Sequence, residues 1–404
     1  VEHYSASEAS GLPWRADDES AWEPWSAQWA IEPGVTYLNH GSFGPPPLVV
    51  RAARRAWIDR LDADPMDFFV RHQEQALSEV AARLAAFVGA TAADLALVEN
   101  ATFGMNTVAA NVSLTAGDEV LLTDHEYGAV RRIWQRACDR SGAKLRIATL
   151  PFPPQSTEEV VAAIADQFGP RTRLVVVSHI TSPTALILPV QEICAAARDA
   201  NVATCVDGPH ALAMLPLDVA ALDCDYYTAS CHKWLSATFG TGFLYVHPRR
   251  QADFQPLNLS WGRTQENRPT AWQEEYLWPG TRDMSGFLSV PAAIDFLQAA
   301  PIEAFRARGH FLAKLGAEMI NALTGYEPVG DVDRWYGTMV PAELPPGETL
   351  PFRDAIWRHA KLHVPIIAWG DRRFVRISCH LYNSRRDVEL LAKTIAELGM
   401  VTRS

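Results

Sequence analysis

Two short stretches carry residue types that belong together chemically. The first is Tyr226-Tyr227-Thr228-Ala229-Ser230-Cys231-His232-Lys233-Trp234, followed by a glycine-bearing turn at Gly240 and Gly242. A lysine between His232 and Trp234, at the end of an apolar run, sits in surroundings that disfavour its ammonium form and lower its pKa. Such an amine attacks a carbonyl and forms a Schiff base. The second stretch is Val202-Ala203-Thr204-Cys205-Val206, ending in Asp207-Gly208-Pro209-His210. It reads as a buried parallel strand with an acid at its carboxyl end, where open α/β sheets place ligands. Taken singly, Lys233 is a surface charge and Asp207 a turn or cap residue.

Together they are the pair that pyridoxal 5′-phosphate (PLP) asks of a protein. It needs a lysine for the aldehyde, and a carboxylate that keeps the pyridine nitrogen protonated so that the ring acts as an electron sink. The D-G-x-H and S-x-H-K-W segments resemble the class V aminotransferase family of fold-type I PLP enzymes, on the isopenicillin N epimerase branch. Matching segments run from Tyr37-Leu38-Asn39-His40-Gly41-Ser42-Phe43-Gly44-Pro45 to Val375-Arg376-Ile377-Ser378. The motifs are specific for fold and cofactor and much less so for the reaction.

The elements that position these residues read as α/β. Apolar strand candidates lie at 95–98, 119–123, 145–149, 173–178, 202–206, 226–229 and 242–246. Helical stretches at about 103–112, 128–141, 156–168 and 190–200 separate most of them, which implies a mostly parallel seven-stranded sheet covered on both faces. Helical periodicity also runs from 48 to 88, with an acidic interruption over 62–67. Candidate strands at 335–340, 364–368 and 373–378, with helices at about 303–323 and 385–399, form a smaller α+β C-terminal domain. The expected organisation is an N-terminal arm over 1–36, a large cofactor-binding domain over 37–290 and a small domain over 291–404. The arm carries Trp14, Trp22, Trp25 and Trp29. It packs on another surface, a partner subunit included, or is a partly disordered leader.

A chain of 404 residues accommodates both domains. Apolar content of 48% and charged content of 21% are ordinary for a globular protein. The net charge of −11 argues against nucleic acid or an anionic membrane as a partner. No apolar run reaches the roughly 18–20 residues of a membrane span, and the acidic, Trp-bearing first thirty residues do not read as a signal peptide. Cys138, Cys194, Cys205, Cys224, Cys231 and Cys379 are scattered without a C-x-x-C pair. They read as buried reduced thiols of a cytoplasmic protein, with no metal site.

Further site candidates follow partly from residue type and partly from the resemblance. Glu99-Asn100-Ala101-Thr102-Phe103-Gly104 follows a strand and opens a helix, so its amides suit phosphate; Ala101 and Thr102 match the family's phosphate turn, while Asn100 alone is an ordinary cap. The resemblance implies phosphate roles for Ser230 and His232. It also implies one for Thr281, reaching across a dimer interface, and hence a homodimer with shared active sites. It places His210 and Ser182 near the cofactor's O3′. A ring-stacking residue comes from Thr123-Asp124-His125-Glu126-Tyr127-Gly128, where Tyr127 is favoured over His125. The glycine- and proline-bounded turn at 37–47 borders the substrate pocket in the family, which makes Asn39, His40 and Ser42 candidates. Arg376, alternating with apolar neighbours on a strand, is the candidate clamp for a substrate α-carboxylate; Arg372, Arg373 and Arg282 are alternatives. The irregular segment 249–284 is long for a structureless loop, and its Trp261 and Trp272 are candidates to shape the rest of the substrate.

One absence narrows the chemistry. Group II desulfurases carry a nucleophilic cysteine shortly before the arginine, and Lys361–Gly370 (KLHVPIIAWG) has none. The remaining outcomes share deprotonation at Cα of an α-amino acid by Lys233. Loss of a β-thiolate gives C–S cleavage and is the leading expectation, on a small thioether conjugate in specialised metabolism. Epimerisation is the alternative and needs a second proton donor, Tyr127 or His40. Transamination is the third outcome of that deprotonation; a further variant that the resemblance implies couples decarboxylation to oxidative deamination. A non-catalytic scaffold would have lost Lys233 or Arg376, and both are present.

Overall fold

The computed structural model describes residues 15–263 and 271–399. Trp14, the rest of the arm's first fourteen positions, and residues 264–270 of the irregular segment lie outside the described residues. The chain separates into two compact units. One comprises Val49–Ile180 and Leu188–Asp295, the other Val1–Leu48, Thr181–Ile187 and Phe296–Ser404.

The first unit is built on a seven-stranded sheet. Its strands are β1 (Leu95–Val98), β2 (Glu119–Thr123), β3 (Lys144–Ala148), β4 (Thr172–Ser178), β5 (Ala203–Asp207), β6 (Tyr226–Ser230) and β7 (Gly242–Val246). Their spatial order is β1-β7-β6-β5-β4-β2-β3. The β2–β3, β2–β4, β4–β5 and β5–β6 pairs are parallel, and β7 runs antiparallel to both β6 and β1. Every residue of β1, β6 and β7 is buried, as expected for a sheet with helices on both faces. All seven expected strands form, with bounds moved by a residue or two.

Helices Ala101–Asn111, Gly128–Ser141, Thr157–Ala165 and Val190–Asp199 supply the crossovers. The first starts two residues earlier than the periodicity predicts, because Asn100 Oδ1 accepts from Phe103 N at 2.9 Å and fixes the start. Its Gly104 packs against β6: a Cβ there would fall 2.2 Å from Thr228 Oγ1. The acidic interruption expected over 62–67 narrows to one residue, Asp64, which caps the turn Pro65–Asp67 by accepting from Asp67 N at 3.0 Å. Among the described residues of the irregular segment, short 3₁₀ turns form at Pro248–Arg250 and Trp272–Tyr276.

The second unit holds an antiparallel sheet in which Arg372–Ser378 lies between Ile366–Trp369 and Met339–Leu344. Helices Ile302–Thr324, Thr349–Ala360 and Arg385–Glu397 accompany it. The strand expected at 335–340 instead begins at Met339. Asp331 accepts from the amides of Asp333 and Arg334 and winds Val332–Trp335 into a helical turn. Residues 15–36 of the arm pack within this unit. Arg308, fully buried, pairs with Glu19 at 2.7 Å, and Trp29 sets its ring edge-on to Phe296, His380 and Tyr382. Among the described residues, no helix is long and apolar enough to cross a membrane. All six cysteines are buried and unbonded.

Candidate active site

In the first unit the candidates gather at the carboxyl ends of neighbouring strands. β5 ends on Asp207, opposite Ser178 at the end of β4, and β6 ends on Ser230. The Asp207 side chain is buried at 5% exposure. Burial pushes its carboxyl up to about 6, opposed by the charge of Lys233. Lys233 Nζ lies 3.2 Å from His210 Nε2, and Trp234 donates its indole N–H to His210 Nδ1 at 3.2 Å. Asp207, His210 and Lys233, chosen from the sequence, thus form one cluster. Gly208 is required beside them: a Cβ there would fall 2.1 Å from the Tyr227 ring.

The anion-binding candidates also converge. The amide of Ala101, first residue of its helix, donates to Ser230 Oγ at 3.0 Å. Thr102 follows on the exposed side. His232 is held neutral, its pKa lowered to about 4 by burial and then by Lys233. Its Nδ1 is buried and has no hydrogen-bond partner. A helix start, a hydroxyl and an unsatisfied imidazole nitrogen are the donor set a phosphate takes. Thr281 is exposed, one residue after Gly280.

Between β2 and the next helix, the two ring-stacking candidates differ. Tyr127 is half-exposed at 49%. His125 is buried edge-on against Phe152 with centroids 5.3 Å apart, and burial lowers its pKa to about 3. Between them sits Glu126, which the sequence reading passed over. It accepts from Ser178 Oγ at 2.6 Å, Ser178 N at 3.1 Å and Thr123 Oγ1 at 2.7 Å. Burial, aided by the Asp207 charge, pushes its carboxyl up to about 7. An acid three residues beyond the end of a buried strand was the signal available.

In the second unit Arg376 is buried at 3% exposure. One Nη donates to the carbonyl of Ser182 and, at 3.4 Å, to its hydroxyl; the other reaches Ser42 Oγ at 3.2 Å. Its Nε is buried without an acceptor, and burial lowers its pKa to about 10. Ser182, which the resemblance puts near O3′, is therefore brought to the arginine within this unit. Asn39 Oδ1 is buried and unpartnered. His40 is fully buried, bonded through Nδ1 to Tyr382 Oη at 2.9 Å and stacked on His380 at 4.0 Å. The alternative arginines are engaged elsewhere: Arg372 with Glu343 at 2.5 Å, Arg373 with the carbonyl of Glu348 at 3.1 Å, and Arg282 with Glu99. Trp272, expected to face a substrate, is 9% exposed in the core beside β1 and donates to the carbonyl of Ala93 at 3.0 Å. Its apolar area drew it inward, whereas Trp261 is 71% exposed.

The class-V aminotransferase family model matches residues 66–348 of this chain. The chain belongs to the class-V aminotransferase family. Isopenicillin N epimerase of Amycolatopsis lactamdurans is similar over nearly its whole length: 38% identical over 397 residues, 94% of this chain and 99% of that protein. L-cysteine desulfhydrase of Arabidopsis thaliana is 26% identical over 408 residues, 90% of this chain and 88% of the relative. Among solved structures, a variant of the cystine C–S lyase C-DES superposes with a TM-score of 0.79. It is 24% identical and covers 92% of this chain and 98% of that one, which shows the fold to be shared.

This class-V member is a PLP enzyme of fold type I, and its residues suit the group. The buried Asp207 carboxylate, its charge opposed by burial and offset by Lys233, matches a protonated ring nitrogen. Lys233 would supply the amine, and the unsatisfied His232 Nδ1 with Ser230 and the Ala101 helix start would hold the phosphate. When bound, the cofactor provides an electron sink for a carbanion at Cα.

Proposed function

We propose that this class-V enzyme removes the Cα proton of a small α-amino acid and then expels a β-thiolate, cleaving a C–S bond. The observation that carries the reading is the cluster of Asp207, His210 and Lys233, with Lys233 Nζ 3.2 Å from His210 Nε2. Lys233 takes the Cα proton, and Asp207 holds the charge that makes its removal feasible. Arg376 binds the α-carboxylate: a buried guanidinium with an unsatisfied Nε, held by Ser42 and Ser182, favours an incoming anion. Asn39, with an unsatisfied Oδ1, assists by accepting from the substrate ammonium. Ala101, Thr102, Ser230 and His232 hold the phosphate, with Thr281 contributed across a homodimer. Tyr127, exposed where His125 is not, covers the ring. β-Elimination needs one base and a leaving group, so Lys233 suffices for its proton transfer.

Epimerisation is the second reading, favoured by 38% identity to an isopenicillin N epimerase across 94% of this chain. It needs a second proton donor. His40, fully buried and bonded to Tyr382, is already committed within its unit, which leaves Tyr127 as the candidate. Incubation with a cysteine S-conjugate, assayed for thiol and pyruvate, tests the first reading. Deuterium uptake at Cα with recovery of the opposite stereoisomer, and no thiol, would replace it with the second. Turnover of either kind by a Lys233→Ala variant would remove Lys233 from the mechanism.

A further inference from the structure

His210 is buried between two nitrogens, Trp234 Nε1 and Lys233 Nζ, each 3.2 Å from a different ring nitrogen. An indole N–H is a donor and never an acceptor. His210 Nδ1 must therefore present its lone pair to Trp234. The neutral ring then carries its proton on Nε2, toward Lys233. An imidazolium would set N–H against N–H at Trp234, and so would the other neutral tautomer.

We infer that Trp234 is a positioning residue that fixes His210 in the neutral Nε2–H tautomer, so that His210 meets Lys233 as a proton donor and not as a base. The consequence for Lys233 follows from donor counting. An ammonium has three donors and no lone pair, whereas an uncharged amine can accept. The Nε2–H of this tautomer can donate to Lys233 only in the amine's uncharged form, the state that attacks a carbonyl or receives a proton; beside the charged form the same contact carries no hydrogen bond. Once Nζ has taken a proton, it can no longer accept from Nε2–H. The ring thus favours the reactive form of the amine over the protonated one.

The ionisable surroundings do not select this tautomer by themselves. Lys233 faces the ring directly; Asp207 and His232 feel the Lys233 charge, and Glu126 feels that of Asp207. Trp234 acts at Nδ1, the ring nitrogen away from Lys233. Burial of His210, at 2% exposure, is indifferent to which nitrogen carries the proton.

Trp234's role presupposes Lys233 as the reacting amine, but the tautomer is measurable without turnover. Histidine ring-¹⁵N spectra of the protein before and after cofactor loading would be assigned by the signals lost in His210→Gln. The expected wild-type result is a proton-bearing Nε2 and a lone-pair Nδ1, favoured by about tenfold or more, the scale of one buried hydrogen bond. Trp234→Phe should erase that preference, giving a mixture of tautomers, while Lys233→Ala should keep it. A proton on Nδ1 in the wild type overturns the assignment, whether or not Trp234→Phe folds. So does an unchanged tautomer in Trp234→Phe. Absence of thiol release or epimerisation with the tautomer intact would refute the proposed function and leave this role of Trp234 standing.

Discussion

Replacing Asp207 by Asn separates what this residue does for the cofactor from what it costs the fold. In the structure its carboxyl is raised from 3.8 to about 6 by burial, with Lys233 pulling the other way. A raised acid in the native state means that the folded chain binds the proton more tightly than the unfolded chain. Stability therefore falls as pH rises from the unfolded value through the folded one. Integrating that difference gives a cost on the order of 2 kcal/mol at pH 5 and 3 kcal/mol at pH 8. Asp207→Asn removes this cost, and also the attraction felt by Lys233, so the absolute gain is smaller than these figures. The pH dependence is the sharper test. In cofactor-stripped protein, chemical denaturation should show the variant gaining on the wild type by roughly 1 kcal/mol between pH 5 and pH 8. The loaded variant should lose activity by about 10²-fold or more, because an amide cannot hold a positive ring nitrogen. A stability difference that stays flat with pH, or grows in the wild type's favour at pH 8, would refute the placement of Asp207 as a buried, strained carboxylate.

Three further outcomes are expected. Arg376→Lys keeps the charge but loses the planar fork, and should raise KM for an amino-acid substrate about 10–100-fold in steady-state assays while changing kcat less. Glu126, raised to about 7 by burial, makes the wild type less stable as pH climbs from about 4.5 through 7. Glu126→Gln should flatten thermal unfolding curves compared between pH 5 and pH 9. Gly208→Ala drives a methyl into the ring of Tyr227, itself stacked on Phe243 and bonded to His179. Denaturant titration should show a loss of about 1–3 kcal/mol.

Much of the first unit is legible from sequence because its strands are buried on both faces and read as unbroken apolar runs. The acid and lysine at the ends of β5 and β6 stand out against those runs. Other features depend on pairings that local pattern does not carry. Thr181–Ile187 groups with the second unit, where Ile187 N donates to the carbonyl of Trp335 at 2.9 Å. Nothing near residue 187 announces a partner so distant in sequence. Trp335 itself reads as the start of a strand until the Asp331 cap is seen to wind its segment into a turn. Trp272 shows the limit of composition: an aromatic in an irregular stretch belongs to the hydrophobic core and not to a ligand surface. Glu126 was hidden by its more familiar neighbours His125 and Tyr127, although its three bonds tie the ends of β2 and β4 together.

Asp207, His210, Ser230, His232 and Lys233 lie in the unit built on the seven-stranded sheet, whereas Ser182 and Arg376 lie in the other. Colour and turnover should therefore report on different halves of the molecule. Damage confined to the C-terminal unit would leave a yellow protein that does nothing. A preparation judged sound by its absorbance alone would need a substrate titration before it could be called native.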